Sequence, residues 1–377
     1  MTALTLFAVL FACTADKDSG DDAVIDGVAA LGANSNDMNA VRFDLIGAQS
    51  DGLDVPRDLE FNPEADGELW VVNQGDDSVS VFKMTGTDKQ SSIHIVDPFA
   101  LHFMEEVSSI AFGAPGTFGT CQESRNTYNG QGSPNDFMGP TLWSSDLNFF
   151  GESNPEAVEY LSDLFGYEVD LGSHLDMQHE SPNCVGIAWE RDNRYWVFDG
   201  KEGSIDMVDF HDDHGFGYDD HSDGETATWL IGEVSRVKDV HSGMVFDHTS
   251  NLLYVADTGN NRILVLDTTS GEKGDNRVKM EPGTQHYYVD GADSWDLALG
   301  ADLGLVEPSG LDLVDGVLFV TDHANGSIVA LNVQDGSEID RLDSGMVGLM
   351  GIEVRNMEEI YLVDSVANEV LRLSAAE

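Results

Sequence analysis

Short apolar runs separated by turn residues recur along most of this chain. The clearest set lies within residues 243–267, where apolar runs at 244–246, 252–256 and 263–266 alternate with segments rich in Asp, Asn and Gly. Runs this short, rich in Val, Ile and Tyr and bounded by turn formers, predict β-strands of an antiparallel meander. The second turn, Asp-Thr-Gly-Asn-Asn, suits backbone conformations with positive φ, which Gly and Asn tolerate.

The same pattern returns along the rest of the chain. Four further good copies lie at residues 58–82, 186–210, 310–332 and 351–373, and a degenerate sixth copy runs from 109 to 144 with an insertion. Self-similarity at a few tens of residues, with strands in every copy, is typical of propeller blades. The sequence therefore predicts an all-β fold: a six-bladed β-propeller of four-stranded antiparallel blades over residues 39–377.

An additional strand is predicted ahead of the first blade. Val41, Phe43 and Leu45 alternate with their neighbours at the period of a strand. The last copy of the repeat ends after only three strands. We therefore expect the N-terminal strand to complete the last blade, because such closure removes the exposed edges that an open ring would leave.

Each good copy contains an apolar strand that ends in Asp or Asn and is followed by a polar turn. In the copy at residues 243–267 the turn leads directly into an Arg-Ile pair. This pattern resembles the repeat of the NHL-type β-propellers. The resemblance covers the repeats and implies the same ring of blades around a central channel.

The net charge narrows the range of partners. The chain has 69 acidic and 18 basic residues and a formal charge of −51. Nucleic acid is excluded as a partner because phosphate binding needs a basic patch. An acidic membrane surface would also repel the protein. Two interpretations of the carboxylates stay open: a solubilising shell, or ligands that hold Ca²⁺.

The first residues have the composition of an export leader. Residues 2–12 are apolar but too few to span a bilayer, and they fit the core of a secretory signal. The sequence Leu-Phe-Ala-Cys that ends at Cys13 resembles a bacterial lipobox, which implies lipidation of Cys13. Plain export with an incidental cysteine is the alternative. We predict a leader over residues 1–13 and a flexible acidic tether over 14–38. The protein would then be a monomeric periplasmic or cell-surface lipoprotein that meets the membrane only through its lipid anchor.

Two insertions interrupt the repeat, near residues 122–178 and 211–225. Within the first, apolar residues at helical spacing after Asn154 predict a capped helix over residues 155–165. Cys121 ends the second strand of one blade and Cys184 begins the inner strand of the next. In a meander these two ends lie on the same face of the ring, so an exported protein would join them in a disulfide. Two separate buried thiols are the alternative.

Histidines precede three of the inner strands. His102 and His179 each lie seven residues before an inner strand, and His241 lies two residues before another. Three imidazoles at the channel mouth would suit Zn²⁺ or a similar ion, with one coordination position open. Supporting ligands or a general base would come from Glu105, Glu106 and Glu180. Histidines that are merely solvated in loops are the alternative.

The second insertion contains another candidate site. Residues 209–224 include three histidines and six aspartates. Imidazoles would suit Zn²⁺ or Cu²⁺, and carboxylate oxygens would suit Ca²⁺. A solvated acidic loop without an ion is the alternative. The candidate ligands of a second ion are His211, His214, His221, Asp219 and Asp223.

Histidines at the mouth of a predicted propeller are similar to those of the peptidyl-hydroxyglycine amidating lyases, which hold zinc on the axis, and of the streptogramin-type lyases. The resemblance implies a metal-dependent lyase or hydrolase, but the tyrosine and arginine partners of those lyases have no match here. We therefore expect a binding module for a small molecule, peptide or protein at the channel mouth. A lyase or hydrolase with a histidine-bound divalent ion at the propeller axis is the alternative.

Overall fold

The structure is a computed structural model that describes residues 27–32, 36–127, 135–278 and 280–376. The predicted leader and Cys13 lie outside these residues. Among the residues described, no helix has both the length and the apolar character needed to cross a membrane.

Six antiparallel sheets of four strands form the blades, which confirms the predicted fold class. Blade 1 contains Pro56–Phe61, Leu69–Asn73, Ser78–Lys83 and Ser91–Val96, blade 2 contains Val107–Phe112, Thr117–Gln122, Thr141–Ser144 and His174–Met177, and blade 3 contains Cys184–Arg191, Arg194–Asp199, Ser204–Asp209 and Glu225–Trp229. Blade 4 contains Met244–Asp247, Leu252–Asp257, Arg262–Asp267 and Ser294–Leu299, blade 5 contains Pro308–Val314, Val317–Asp322, Ser327–Asn332 and Glu338–Asp343, and blade 6 contains Val41–Gly47, Leu349–Asn356, Glu359–Asp364 and Glu369–Ala375.

The N-terminal strand closes the ring as predicted. Val41–Gly47 pairs antiparallel with Glu369–Ala375, and Phe43 faces Leu373 across the pair. The predicted alternation is wrong at its end: Leu45 is exposed and Ile46 is buried. A shift of register between residues 45 and 47 causes this, because one extra residue moves the following side chains to the opposite face.

The apolar core fills the spaces between neighbouring blades. Between blades 1 and 2, for example, Trp70, Phe118, Trp143 and Phe150 are buried together with their rings in mutual contact. A second cluster, next to blades 5 and 6, includes the buried residues 28, 30 and 31, which belong to the segment predicted as a flexible tether. The described end of that segment is thus part of the folded core, since its apolar side chains cover the outer edge of the blades.

Carboxylates join neighbouring inner strands around the axis. The backbone N–H of Ile110 in blade 2 donates to Asp58 of blade 1 at 3.1 Å. In the same way, Val354 of blade 6 donates its N–H to Asp312 of blade 5 at 2.6 Å. The channel-facing edge of each inner strand has backbone groups that no further strand pairs with. These carboxylates accept hydrogen bonds from some of the N–H groups on that edge.

Cys121 and Cys184 form a disulfide, as predicted, with Cα atoms 5.3 Å apart. The bond joins the second strand of blade 2 to the inner strand of blade 3. The alternative of two separate thiols is therefore wrong.

Short helices and one inserted hairpin lie outside the blades. The predicted helix is present as Pro155–Phe165, and the Asn154 side chain caps it by accepting the N–H of Glu156. A hairpin that the sequence did not predict, Glu272–Asn276 with Gln285–Asp290, leaves blade 4 and pairs with the outer strand of blade 3. The other helices of the described residues are Ala29–Leu31, Gln49–Asp51, Ala100–Phe103, Thr258–Asn260 and Gly300–Leu303.

Candidate metal centre

The two predicted insertions and the hairpin meet on the outer side of blades 2 and 3. Four buried histidines come together there, which we call the histidine cluster: His102, His174, His179 and His221. His102 lies in the helix Ala100–Phe103, and His174 begins the strand His174–Met177. His179 lies in the connection that follows this strand, and His221 lies in the loop before Glu225–Trp229.

The rings of the cluster lie close together and are held in place. The centroid of His221 lies 5.6 Å from that of His174 and 5.6 Å from that of His179. Phe103 stacks on His174 at 3.7 Å, and Phe137 stacks on His179 at 3.6 Å. Stacking on Phe103 and Phe137 fixes the ring planes of His174 and His179.

Three of the imidazoles direct Nδ1 at a fixed partner. His174 Nδ1 lies 2.9 Å from a backbone carbonyl oxygen three residues earlier. His179 Nδ1 bonds Glu281 of the hairpin, and His221 Nδ1 lies 2.7 Å from Asp176 Oδ1. Nε2 of His174 is buried and has no hydrogen-bond partner. Metal-binding histidines show this arrangement, in which the second ring nitrogen is held by a carboxylate or a carbonyl.

Next to the cluster lies a second group, Asp176, His214 and Asp223, which we call the Asp–His–Asp group. His214 Nε2 lies 2.9 Å from Asp223 Oδ1 and 3.8 Å from Asp176 Oδ2. Within the described part of the chain, this is the one set of three potential metal-binding side chains whose ligand atoms all lie within 4.8 Å of one another. Asp176 is fully buried and its Oδ2 has no hydrogen-bond partner. The Asp223 side chain is 36% exposed, so the group has one side open to solvent.

Burial and hydrogen bonding set the charges of the site. Burial lowers the pKa of His102 to about 4 and that of His174 to about 3, so both rings are neutral at pH 7. Burial opposes the charge of His221 too, but its hydrogen bonds to Asp176 and Asp219 raise its pKa to about 10. Burial raises the pKa of Asp176 itself to about 6. His221 is therefore the cation of the site, and it is paired with two carboxylates.

The structure separates the three histidines of the first predicted metal site. His102 and His179 come together, with ring centroids 6.3 Å apart. His241 instead lines a cavity of about 170 Å³ on the propeller axis, which the inner strands of all six blades enclose. Its Nδ1 lies 3.1 Å from Ser109 Oγ and its Nε2 lies 3.6 Å from Asp58 Oδ1. His102 and His179 each lie five residues before an inner strand, whereas His241 lies three residues before one. The longer segments extend outward along the blade, and the shorter one stays at the channel.

The residues predicted as ligands of a second ion are also separated. His214 and Asp223 belong to the Asp–His–Asp group, whereas His221 and Asp219 face each other at 3.4 Å beside the histidine cluster. His211 belongs to neither group, since its side chain is 42% exposed and its nearest carboxylate is Asp209 at 3.8 Å.

The three predicted glutamates have other contacts. Glu105 accepts hydrogen bonds from Ser124 and Thr127, and burial raises the pKa of Glu106. Glu180 accepts the backbone N–H of Met280 and lies 3.0 Å from His286 Nδ1, so it holds the hairpin. The carboxylate that supports His179 is Glu281 instead.

Sequence reasoning missed His174, Asp176 and Glu281. A signal for the first two exists, because the sequence Ser-His-Leu-Asp-Met-Gln-His places the potential ligands His174, Asp176 and His179 within six residues. Glu281 had no such signal, since only the folding back of the hairpin brings it to His179.

Comparison with known proteins supports the fold. No protein-family model and no curated protein matches the sequence. Among solved structures, the chain is similar to an auxiliary nutrient binding protein from Bacteroides ovatus ATCC 8483, with 10% identity, a TM-score of 0.52 and coverage of 90% of this chain and 78% of that chain. A second auxiliary nutrient binding protein, from Bacteroides thetaiotaomicron VPI-5482, shows 12% identity, a TM-score of 0.52 and coverage of 93% and 76%. A streptogramin B lyase shows 10% identity, a TM-score of 0.50 and coverage of 89% and 98%. At these identities the likeness shows the propeller fold alone, and the NHL type of the repeat stays a prediction.

Chemically, the site offers two kinds of donor set side by side. The Asp–His–Asp group mixes carboxylate and imidazole ligands and is open to solvent on one side. The histidine cluster offers imidazole nitrogens in a buried, ring-lined space. A divalent transition metal fits both donor types, whereas Ca²⁺ requires six to eight oxygen ligands.

Proposed function

We propose that this protein is a propeller-type binding module that holds one Zn²⁺ ion on the Asp–His–Asp group. The observation that carries the proposal is the convergence of the three ligand atoms, with a buried Asp176 oxygen that has no hydrogen-bond partner. A buried carboxylate oxygen without a partner is costly unless something binds it. One imidazole and two carboxylates are ligands that Zn²⁺ accepts at about 2.0–2.2 Å.

The open side of the group is where a ligand would bind. Three protein ligands leave a fourth position of a tetrahedral zinc site for water or for a donor atom of a ligand. The loop that carries His214 also carries Tyr218, whose ring lies 5.9 Å from Tyr160 on the neighbouring helix. Tyr160 is 57% exposed and provides an aromatic surface next to this loop. The ligand would be a small molecule, peptide or protein with an oxygen or nitrogen donor and an apolar part.

This location replaces the channel mouth as the expected binding site. The axial cavity is small, and two of the carboxylates that line it, Asp58 and Asp312, accept backbone hydrogen bonds from the next blade. A binding role is in keeping with the names of the two auxiliary nutrient binding proteins. The disulfide favours an oxidising compartment and so supports export. Anchoring through a lipid on Cys13 completes the proposal and is testable by the mass of the mature protein.

A metal-dependent hydrolase or lyase is the second candidate. The observation that favours it is His221, which is protonated at neutral pH and belongs to the same network as Asp176. A proton donor next to an ion with an open position is a combination that hydrolytic enzymes use. Metal-dependent turnover of a ligand, rather than its reversible retention, would distinguish this activity from binding alone.

Metal analysis tests the proposal. The full chain, stripped with a chelator and titrated with Zn²⁺, should take up an equivalent that the double variant His214→Gln, Asp223→Asn does not. The affinity of that equivalent should fall at least about 100-fold, since even indirect partners of a metal site matter 10–100-fold. Asp220→Asn is the matched control, because it removes an exposed carboxylate from the same loop and can keep the bonds to Ser222. Equal Zn²⁺ uptake by the double variant and the control would overturn the proposal.

A further inference from the structure

We infer that the cavity on the propeller axis binds a small organic cation, an amine with an apolar body, between carboxylates on one wall and aromatic rings on the other. This site is separate from the Asp–His–Asp group and takes a different class of ligand. The inference goes beyond the proposed function and does not require an ion on that group.

The cavity extends along the channel and is open to solvent at one end. His241 precedes the inner strand of blade 4, Met244–Asp247, and His248 follows it, and both histidines line the cavity. His241 Nε2 and Asp58 Oδ1, from blades on opposite sides of the ring, approach to 3.6 Å and narrow one end. His248 is exposed at the other end. A ligand would therefore enter where the inner strands end.

The carboxylates of the cavity come from one half of the ring. Asp58 and Glu60 belong to blade 1, Asp312 belongs to blade 5 and Glu353 belongs to blade 6, and these blades are neighbours. Glu60 Oε2 accepts the backbone N–H of Phe112 at 2.6 Å, and Glu353 accepts a backbone N–H from blade 1. Both glutamates are only half-buried. Each therefore has a second oxygen available to a ligand in the cavity.

The opposite half of the ring provides an aromatic wall. Among the described residues that line the cavity, those of blades 2, 3 and 4 include no carboxylate and include Phe112, Trp189 and Phe246. The ring of His248 lies near two of them, with centroid distances of 5.2 Å to Trp189 and 5.0 Å to Phe246. Aromatic faces attract cations, and that of Trp does so most strongly. The apolar part of the amine would pack against this wall.

The carboxylates of the cavity lack a basic partner. In the part of the chain that the structure describes, no lysine or arginine forms an ion pair with any of them, and the adjacent Arg57 pairs with Glu123 instead. Burial raises the pKa of Glu60 and of Glu353 well above the ordinary value, and the neighbouring carboxylates raise it further. A buried carboxylate is costly unless it is paired, so a bound organic cation would stabilise this wall.

His241 gives independent support for a ligand. The residue is 3% exposed, and burial lowers its pKa, so the ring is neutral at pH 7. Its Nδ1 lies 3.1 Å from Ser109 Oγ, and a proton on Nδ1 leaves Nε2 as an acceptor. The 3.6 Å between Nε2 and Asp58 Oδ1 is too long for a hydrogen bond. An ammonium group within reach of both atoms would donate to both.

The dimensions of the cavity favour an organic cation over a metal ion. Within the described residues, only the Asp–His–Asp group brings three potential metal-binding side chains within 4.8 Å of one another, so the carboxylates and imidazoles of the cavity do not converge on one point. An amine instead spreads its N–H groups and its apolar atoms over a larger volume. The cavity of about 170 Å³ is similar in size to one of about 150 Å³ that holds a benzene ring. A ligand of about six to ten non-hydrogen atoms therefore fits.

Calorimetric titration with benzylamine tests the inference, and benzyl alcohol is the uncharged probe of the same size. The full chain, at pH 8 with a chelator present, should bind benzylamine at least about 10-fold more tightly than benzyl alcohol. Glu60→Gln and Glu353→Gln should each weaken benzylamine binding at least about 10-fold, because the amide can still accept the backbone N–H but has no charge. Glu64→Gln is the matched control, since Glu64 accepts the N–H of Gly116 at 2.6 Å in the same way but is exposed and lies outside the cavity.

The outcomes are independent of the proposed function, because the chelator keeps the Asp–His–Asp group free of metal. Preference for benzylamine that falls in the two glutamine variants and persists in the control supports the inference. Equal affinity for the two probes, no binding of benzylamine, or unchanged binding in both Glu60→Gln and Glu353→Gln overturns it. The use of two separate variants keeps the test valid if one of them fails to fold, as circular dichroism would show.

Discussion

Asp176 and His221 form a buried pair in which Asp176 Oδ1 lies 2.7 Å from His221 Nδ1, while the other carboxylate oxygen lies 3.8 Å from His214. One side chain thus faces a different histidine with each of its two carboxylate oxygens. Its strand, His174–Met177, is the outer strand of blade 2, and the loop of blade 3 brings both imidazoles to it.

Asp176→Asn should weaken metal binding by the Asp–His–Asp group. The amide can still accept one hydrogen bond, but it removes the negative charge that attracts an ion and that pairs with the His221 cation. We expect the affinity for Zn²⁺ to fall at least about 10-fold, measured by calorimetric titration. Asp170→Asn, a change six residues earlier at a carboxylate bonded to Ser153, serves as the control. An unchanged affinity for Zn²⁺ would show that Asp176 is not a ligand of the ion.

The carboxylates around the axis should make stability depend on pH. Burial raises the pKa of Asp312 to about 6 and raises that of Glu353 well above its ordinary value. A raised pKa means that the folded state binds the proton more tightly than the unfolded chain does. Stability from these groups is therefore present at low pH and is lost as pH rises from about 4 through 6 and above.

Glu353→Gln tests this dependence, because the glutamine amide has nearly the same shape as the glutamate carboxyl group but does not titrate. The variant should melt about 1–3 °C higher than the original protein at pH 8, and the difference should shrink at pH 4.5. Differential scanning calorimetry at both pH values measures it. A melting temperature that falls equally at both values would show that the carboxylate acts by packing instead.

Removal of the N-terminal strand should open the ring. A chain without residues 1–47 leaves the edge of Glu369–Ala375 without its partner, and exposed edges promote aggregation. We expect a lower melting temperature and oligomers in size-exclusion chromatography with light scattering. A shorter truncation of residues 1–26 keeps the strand and is the control. A monomeric, equally stable product of the longer truncation would contradict the arrangement.

The disulfide should contribute strongly to stability. Cys121 and Cys184 are 63 residues apart, and the entropy of closing such a loop corresponds to about 4 kcal/mol in the unfolded chain. The double variant Cys121→Ala, Cys184→Ala should lose roughly this amount in denaturant unfolding. The non-reduced digest of the original protein should yield the two cysteines in one linked peptide pair. Complete alkylation of both without reductant would disprove the bond.

The sequence by itself determined the ring of blades. The runs within residues 243–267 and their copies alternate between apolar strands and polar turns, and this local pattern needs no distant contact to be recognised. The position of Cys121 at a strand end and of Cys184 at a strand start was sufficient to predict the disulfide, because a meander fixes which ends share a face. The helix Pro155–Phe165 was equally clear from its cap and its spacing.

Only the tertiary structure decided which polar side chains meet. His102, His179 and His241 all precede inner strands, yet two of them lie beside the outer strand of blade 2 and the third lies on the axis. His214 and His221 lie seven residues apart in one loop, yet they face opposite oxygens of Asp176. Such contacts are determined by the paths of the loops, by a register shift and by the inserted hairpin. These features depend on packing between blades rather than on the periodicity of any one segment.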